Sequence, residues 1–169
     1  MGMQHRLELK VDAMFTKALD LQGAAGIPFN FLKALVLADG TGANQGDLIW
    51  HDQRTIGASS NEDLDLRGGL TDAFGATLQF VRVKGFLVYA ALANANNVHV
   101  GGAAATQFVG WVANSSDIVV VRPGGLFCIA ALDATAYPAG AGTTDLLRIA
   151  NSGAGTSVVY DIMVWGASA

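Results

Sequence analysis

The 169 residues carry 10 Lys+Arg against 14 Asp+Glu, a formal net charge of −4, and this excludes the clustered basic surface of a nucleic-acid binder. Only 14% of residues are charged, where an ordinary soluble domain has about 25%. Hydrophobic residues reach 51%, so part of the surface is expected to be buried in an assembly. No window reaches the ~20 apolar residues of a membrane helix, and MGMQHRLELK lacks an apolar signal segment after its charges, so synthesis in the cytoplasm without an export route is the expectation.

Residues 1–28 read as an N-terminal arm preceding a domain at 29–169. Arg6–Asp12 alternates polar and apolar over a strand length. Asp12–Gly23 suits a short helix or a second extended piece, with the extended form preferred, and Ala24–Pro28 is a break. Phe29–Ala38 is the next apolar strand. Asp39–Asp47, DGTGANQGD, is a polar loop. Its glycines are one residue off the dinucleotide-binding spacing and no amphipathic helix follows. It also lacks the ligand spacing and terminal Glu of a calcium loop.

Leu48–Ile56 and Asp63–Leu66 are strand candidates, separated by a polar turn. Leu70–Gly75 is a loop or a single helical turn. Ala76–Leu92 is a long apolar run in which Gly85 signals a bulge or bend. Val98–Gly101 is a short strand, Gly102–Gly110 a small-residue loop, and Trp111-Val112 the start of another strand. Asp117–Asp133, DIVVVRPGGLFCIAALD, holds two apolar runs split by Arg122-Pro123-Gly124-Gly125, and its simplest reading is a β-hairpin. Neither run alternates, which implies cover on both faces, from a second sheet or another copy. Asp145–Ala150 and Ser157–Gly166 complete the set. Strands between Gly-, Asn- and Asp-rich turns, without a convincing long helix, predict an all-β, jelly-roll-like (Greek-key) β-sandwich.

Catalytic constellations are not apparent. His5, His51 and His99 are scattered without metal-ligand spacing, and a cupin-type site would need them clustered on inward faces. His51 and Asp52, as strand neighbours, point to opposite faces. Cys128 sits in an apolar run and reads as a small buried hydrophobe. Ser115 and Ser116 lie in a polar turn with no evident base. The sequon Asn114-Ser115-Ser116 means little without an export signal. Asp63 and Asp65 share a strand face, which suits a glycosidase pair or, more simply, a solvated edge. Trp50, Trp111 and Trp165 read as core or interface anchors rather than a carbohydrate groove. No catalytic residue, metal ligand or cofactor is assigned.

Several phrases, DGTGANQGDLIWHDQRTI, LDLRGGLTDAFGATLQFVRVKGFLVY, VVVRPGGLF and TTDLLRIANSGAGTSVVYDIMVWGAS, together resemble a group of small virion proteins of tailed bacteriophages and prophages, over roughly Phe15 to Ala169. In size and all-β character these are similar to head decoration (cement) proteins. The resemblance implies a non-enzymatic virion protein, on the capsid surface, that forms dimers or trimers and binds the major capsid protein or other virion proteins, without nucleic acid or membrane. A tail, connector or fibre-associated protein is the alternative, and a carbohydrate-binding or cupin-like module the third. Interface residues are expected at Leu7, Leu9, Val11 and Phe15 on the arm, and at Phe86, Val88, Val119, Val121 and Phe127 on the long apolar strands. The arm is expected to add a strand to a neighbour's sheet edge.

Overall fold

The structure, a computed structural model, describes residues 3–21, 23–102 and 106–169. Gln22 of the expected arm, its first two residues, and residues 103–105 of the expected small-residue loop lie outside the described residues. The described residues form thirteen strands and no helix. In chain order these are β1 (His5–Ala18), β2 (Ala24–Leu37), β3 (Leu48–Ile56), β4 (Asn61–Asp65), β5 (Leu70–Thr71), β6 (Thr77–Leu78) and β7 (Arg82–Ala90). They continue as β8 (Val98–Gly101), β9 (Ile118–Val121), β10 (Leu126–Ala130), β11 (Tyr137–Pro138), β12 (Leu146–Asn151) and β13 (Val158–Ala167).

Two antiparallel sheets close on one core, in a sandwich-like arrangement. The first has the order β10-β7-β13-β3, with β11 added to β7; the second has the order β4-β12-β8-β9. Inward positions alternate along each strand as the pleat requires. In β13 these are Val158, Tyr160, Ile162 and Val164; in β12, Leu147 and Ile149; in β8, Val98 and Val100. Leu66, Phe80 and Phe108 fill the core from the connecting segments. A polar tie crosses between the sheets. The Tyr160 hydroxyl donates to Glu62 Oε1 (2.8 Å), and Arg54 Nε donates to the other oxygen (2.6 Å).

The expected hairpin at Asp117–Asp133 is not one. β9 pairs with β8 in the second sheet, and β10 pairs with β7 in the first. The Arg122–Gly125 turn does reverse the chain, with Gly125 N–H donating to Arg122 C=O at 2.7 Å and Gly124 at φ 74°. Instead of pairing the two runs, it carries the chain across the core. Each run turns only one face to that core, so the cover expected on both faces is not supplied within the chain: Ile118 and Val120 of β9 and Leu126 of β10 are apolar and exposed. Trp111-Val112 lies in an irregular segment rather than a strand.

The arm is also reorganised. β1 pairs with β2 along all fourteen of its residues, from His5 opposite Leu37 to Ala18 opposite Ala24. The expected break at Ala24–Pro28 and the boundary at residue 28 therefore lie inside a strand. β1 and β2 form a two-stranded ribbon, and among its described residues only His5 and Leu37, at its foot, are buried, neither within the main core cluster.

The buried phenol offers a test of the inter-sheet tie. Burial and the hydrogen bond to Glu62 raise its pKa far above the usual tyrosine value. A folded state that keeps a proton the unfolded chain releases loses stability as pH rises through the unfolded value of about 10. Tyr160→Phe is expected to cost about 1 kcal/mol at pH 7 and to flatten the decline in stability above pH ~10. Urea unfolding from pH 7 to 11 measures both; equal slopes in the two proteins would reject the assignment.

Candidate functional site: an apolar ribbon above an apolar sheet

Cross-strand partners share a face of a ribbon, so the register sorts its side chains directly. One face carries Leu7 opposite Leu35, Leu9 opposite Lys33, Val11 opposite Phe31, Ala13 opposite Phe29, Phe15 opposite Ile27 and Lys17 opposite Ala25, so it is apolar but for two lysines. The reverse face of β1 carries Arg6, Glu8, Lys10 and Asp12, joined as Arg6–Glu8 and Lys10–Asp12 ion pairs. Such exposed pairs stabilise little, but they mark that side as wet. The apolar face is exposed as well: Phe15 is 72% and Ile27 70% accessible, and Leu9, Val11, Phe29 and Phe31 are also exposed.

The ribbon stands on the outer face of the first sheet. There β7, β10 and β13 present Leu87, Leu126, Cys128, Ala130 and Met163 away from the core. Leu7, Leu9, Phe31 and Leu35 of the ribbon and Leu87, Leu126, Cys128 and Ala130 of the sheet line an open groove of ≈ 400 Å³, with Glu8 and Lys33 of the ribbon also on its wall. A second hollow of ≈ 290 Å³ lies nearer the ribbon base, between Leu7 and Leu37 on one side and Ile49, Leu87, Met163 and Trp165 on the other. Burial raises the pKa of the Cys128 thiol, which lowers its thiolate fraction at neutral pH.

The base is held by a bulge. Trp165 pairs with Gly85 and Gly166 with Val83, leaving Lys84 as the extra residue. A side chain on Gly85 would lie 2.3 Å from the Trp165 ring and 2.4 Å from Ile129 O, so only glycine fits beneath the indole. Lys84 is fully buried. Its ammonium donates to Gly42 O (3.0 Å) and to Asp133 O, tying the loop that follows β2 to the loop that follows β10. Asn44 N–H donates to Leu132 O at 2.7 Å and Asp47 N–H to Gly166 O at 3.0 Å, adding to the same seam. DGTGANQGD is thus the foot of the ribbon. Burial, with Arg82 nearby, lowers the Lys84 pKa against the pull of Asp133.

The structure separates the residues expected at an interface. Leu9, Val11 and Phe15 are exposed on the apolar ribbon face, with Leu7 half-buried at its foot. Phe86, Val88 and Val121 are core residues, 0%, 0% and 3% accessible, and are removed from any outward surface. The bulge and the pleat turn them inward, so the outward residue of that stretch is Leu87. Val119 and Phe127 are half-buried against the core, Phe127 stacking with Phe86 and Trp111. Phe29, Phe31 and Ile27 were not singled out from sequence. Their alternation becomes informative only once the register with β1 is known.

Other residues of chemical interest have structural partners. Asp63 binds Arg148 through both carboxylate oxygens (2.7 and 2.8 Å), and Asp65 accepts the Arg67 N–H (2.8 Å). A hollow of ≈ 500 Å³ lies between β3 and the β5–β6 hairpin, with His51, Asp47, Asp52 and Asp72 around it. Asp52 pairs with Arg54, Asp47 accepts the Ser168 N–H, and Asp72 accepts N–H groups from Phe74 and Ala76. His99 sits between the core residues Val98 and Val100 and so faces outward. No group of three or more His, Cys, Asp or Glu suited to a metal ion occurs among the described residues. No helix among them is long and apolar enough to cross a membrane.

His5 gives the foot of the ribbon a pH dependence. Its ring is buried, and neither ring nitrogen has a hydrogen-bond partner among the described residues. Burial lowers its pKa, outweighing the pull of Asp47 and Asp39. A depressed histidine contributes stability above its unfolded value of about 6.5 and loses it as pH falls below that. Hydrogen exchange, corrected for intrinsic rates, is expected to show less protection near His5–Leu9 at pH 5 than at pH 7.5, and a smaller difference in His5→Gln. Equal protection at both pH values would contradict this.

No known protein family, curated protein or solved structure matches the chain.

Proposed function

We propose that this chain is a non-enzymatic structural protein of a phage virion, one that decorates and stabilises the capsid by associating with its own copies and with the major capsid protein. The ribbon is the observation that carries the reading. Fourteen-residue strands with an exposed apolar face contribute only Leu37, at their foot, to the buried hydrophobic residues of their own chain. An element that a single copy does not need for its own core is best understood by what it touches in other molecules. The low charge content and the resemblance of the sequence to small tailed-phage virion proteins point the same way.

The strand order supports a jelly-roll wrap. Numbered along the chain, the eight sandwich strands (β3, β4, β7–β10, β12, β13) lie first-eighth-third-sixth in one sheet and second-seventh-fourth-fifth in the other. That is the order of two Greek keys folded over one another, which capsid, lectin and cupin domains share. The fold therefore does not choose between those functions. Placement of the histidines disfavours the cupin reading: His51 and His99 point out of the sandwich and His5 lies at the ribbon foot.

Copy number tests the proposal. Quantitative mass spectrometry of virions from the phage or prophage carrying this gene should find hundreds of copies per particle, as a lattice-decorating protein requires. A few to dozens would move the protein to the tail or connector, the second reading, and absence from the particle would reject a virion role.

A further inference from the structure

We propose that the groove between ribbon and sheet is filled by the ribbon tip of a second copy of this chain, so that copies associate by exchanging ribbons. This deepens the reading of the chain as a self-associating structural protein and rests on it for the choice of partner. Its chemistry is argued from the two surfaces themselves.

The first argument is area. The chain exposes 9293 Å², whereas a folded monomer of its mass, 17.5 kDa, exposes roughly 7,900 Å². The surplus, roughly 1,400 Å² per copy, exceeds the ~800 Å² that each partner contributes to a standard stable interface. The ribbon, projecting on both faces and both edges, is the obvious source.

The second argument is the match of surfaces. The groove is apolar on its sheet wall and mainly apolar on its ribbon wall, where Glu8 and Lys33 are the two charged lining residues. The proximal half of the ribbon has one wet face, so it cannot fill a slot of that kind. The distal half differs. Phe15, Ile27 and Phe29 lie on one face and Met14, Pro28 and Ala24 on the other, and Lys17 is the one charged side chain on the described strand residues 13–18 and 24–29. The tip turn adds Leu19 and Leu21, 52% and 96% accessible, on either side of the charged Asp20. An insert that is mainly apolar on both faces fits a slot that is mainly apolar on both walls.

The third argument is reach. Phe15 lies six residues beyond Leu9, the outermost β1 residue in the groove, or roughly 20 Å further along the strand. A continuously paired ribbon does not fold back over that distance, so the tip that fills a groove belongs to another copy. Two copies exchanging tips close as a dimer, and a head-to-tail ring closes as a trimer.

Cys128, the only cysteine of the chain, lies in the groove, which provides a direct test. Phe15→Cys places a second thiol on the tip, too far from Cys128 of its own chain for a disulfide, which needs Cα atoms within about 7 Å. Mild oxidation of Phe15→Cys at micromolar concentration should give a covalent dimer or ring, lost in Phe15→Cys/Cys128→Ser. Equal cross-linking without Cys128 would mean that tips meet tips, and would overturn the groove assignment. The wild-type chain should be dimeric or trimeric by light scattering, and Phe15→Asp/Ile27→Asp monomeric with its far-ultraviolet circular dichroism retained. A wild-type monomer, including one whose ribbon binds phosphatidylcholine vesicles instead, would also overturn the proposal. None of these measurements uses a capsid. A failure here with a high virion copy number would reject ribbon exchange alone.

Discussion

A two-stranded antiparallel ribbon standing in water is the constraint on which the rest of this molecule turns. Its main-chain hydrogen bonds are made only between its two strands, and without a second layer such a hairpin is marginally stable. Here the ribbon is fourteen residues long on each side and apolar on one face. Its persistence requires a firm foot in the folded body and cover for the exposed face.

The foot is built with unusual materials. A buried lysine is costly in an apolar interior, yet Lys84 sits where the bulge of β7 leaves a residue unpaired. Its ammonium donates to two loop carbonyls, Gly42 O and Asp133 O. The same bulge lets Val83 and Phe86 both face the core, and Gly85 makes room for the Trp165 ring on the outer side. One irregularity thus serves the core, the ribbon foot and the outer sheet face. Its polar cost is offset by fixing where the ribbon leaves the body.

Much of the sandwich was legible. Leu48–Ile56 and Val98–Gly101 are strands with the bounds their sequence suggests, and Gly85 marks a real irregularity. Pairing was less legible than strands. The run Ile118–Val121, the turn and Leu126–Ala130 have every local mark of a hairpin, but a turn fixes only reversal and not whether the two strands become partners. Core competition decided it: β9 adds to β8 and β10 to β7, and each gains a buried face. The same ambiguity affected the expected interface. Phe86, Val88 and Val121 read as surplus apolar surface because a continuous apolar strand does not reveal how many layers cover it. Residues 5–37 failed differently. Pro28 and Gly26 look like punctuation, but an isolated ribbon has two open edges, where proline costs no sheet hydrogen bond.

An exposed apolar ribbon with free edges is ordinarily an aggregation hazard. Natural edges are blunted by charge, and here charge is unevenly distributed. The proximal half of β1 carries four charged residues as two ion pairs, whereas the distal half of the ribbon carries only Lys17 on a strand and Asp20 in the tip turn among the described residues. If the ribbon were merely tolerated, the tip, which reaches furthest into solvent, would need the charges most. Their concentration at the foot is what a closed assembly calls for: the wet face stays outside while the tip is covered. Closure also limits the hazard, because reciprocal exchange consumes every tip and every groove, leaving no free template to propagate. Ribbon stability then becomes a property of the assembly, and by mass action it rises with concentration.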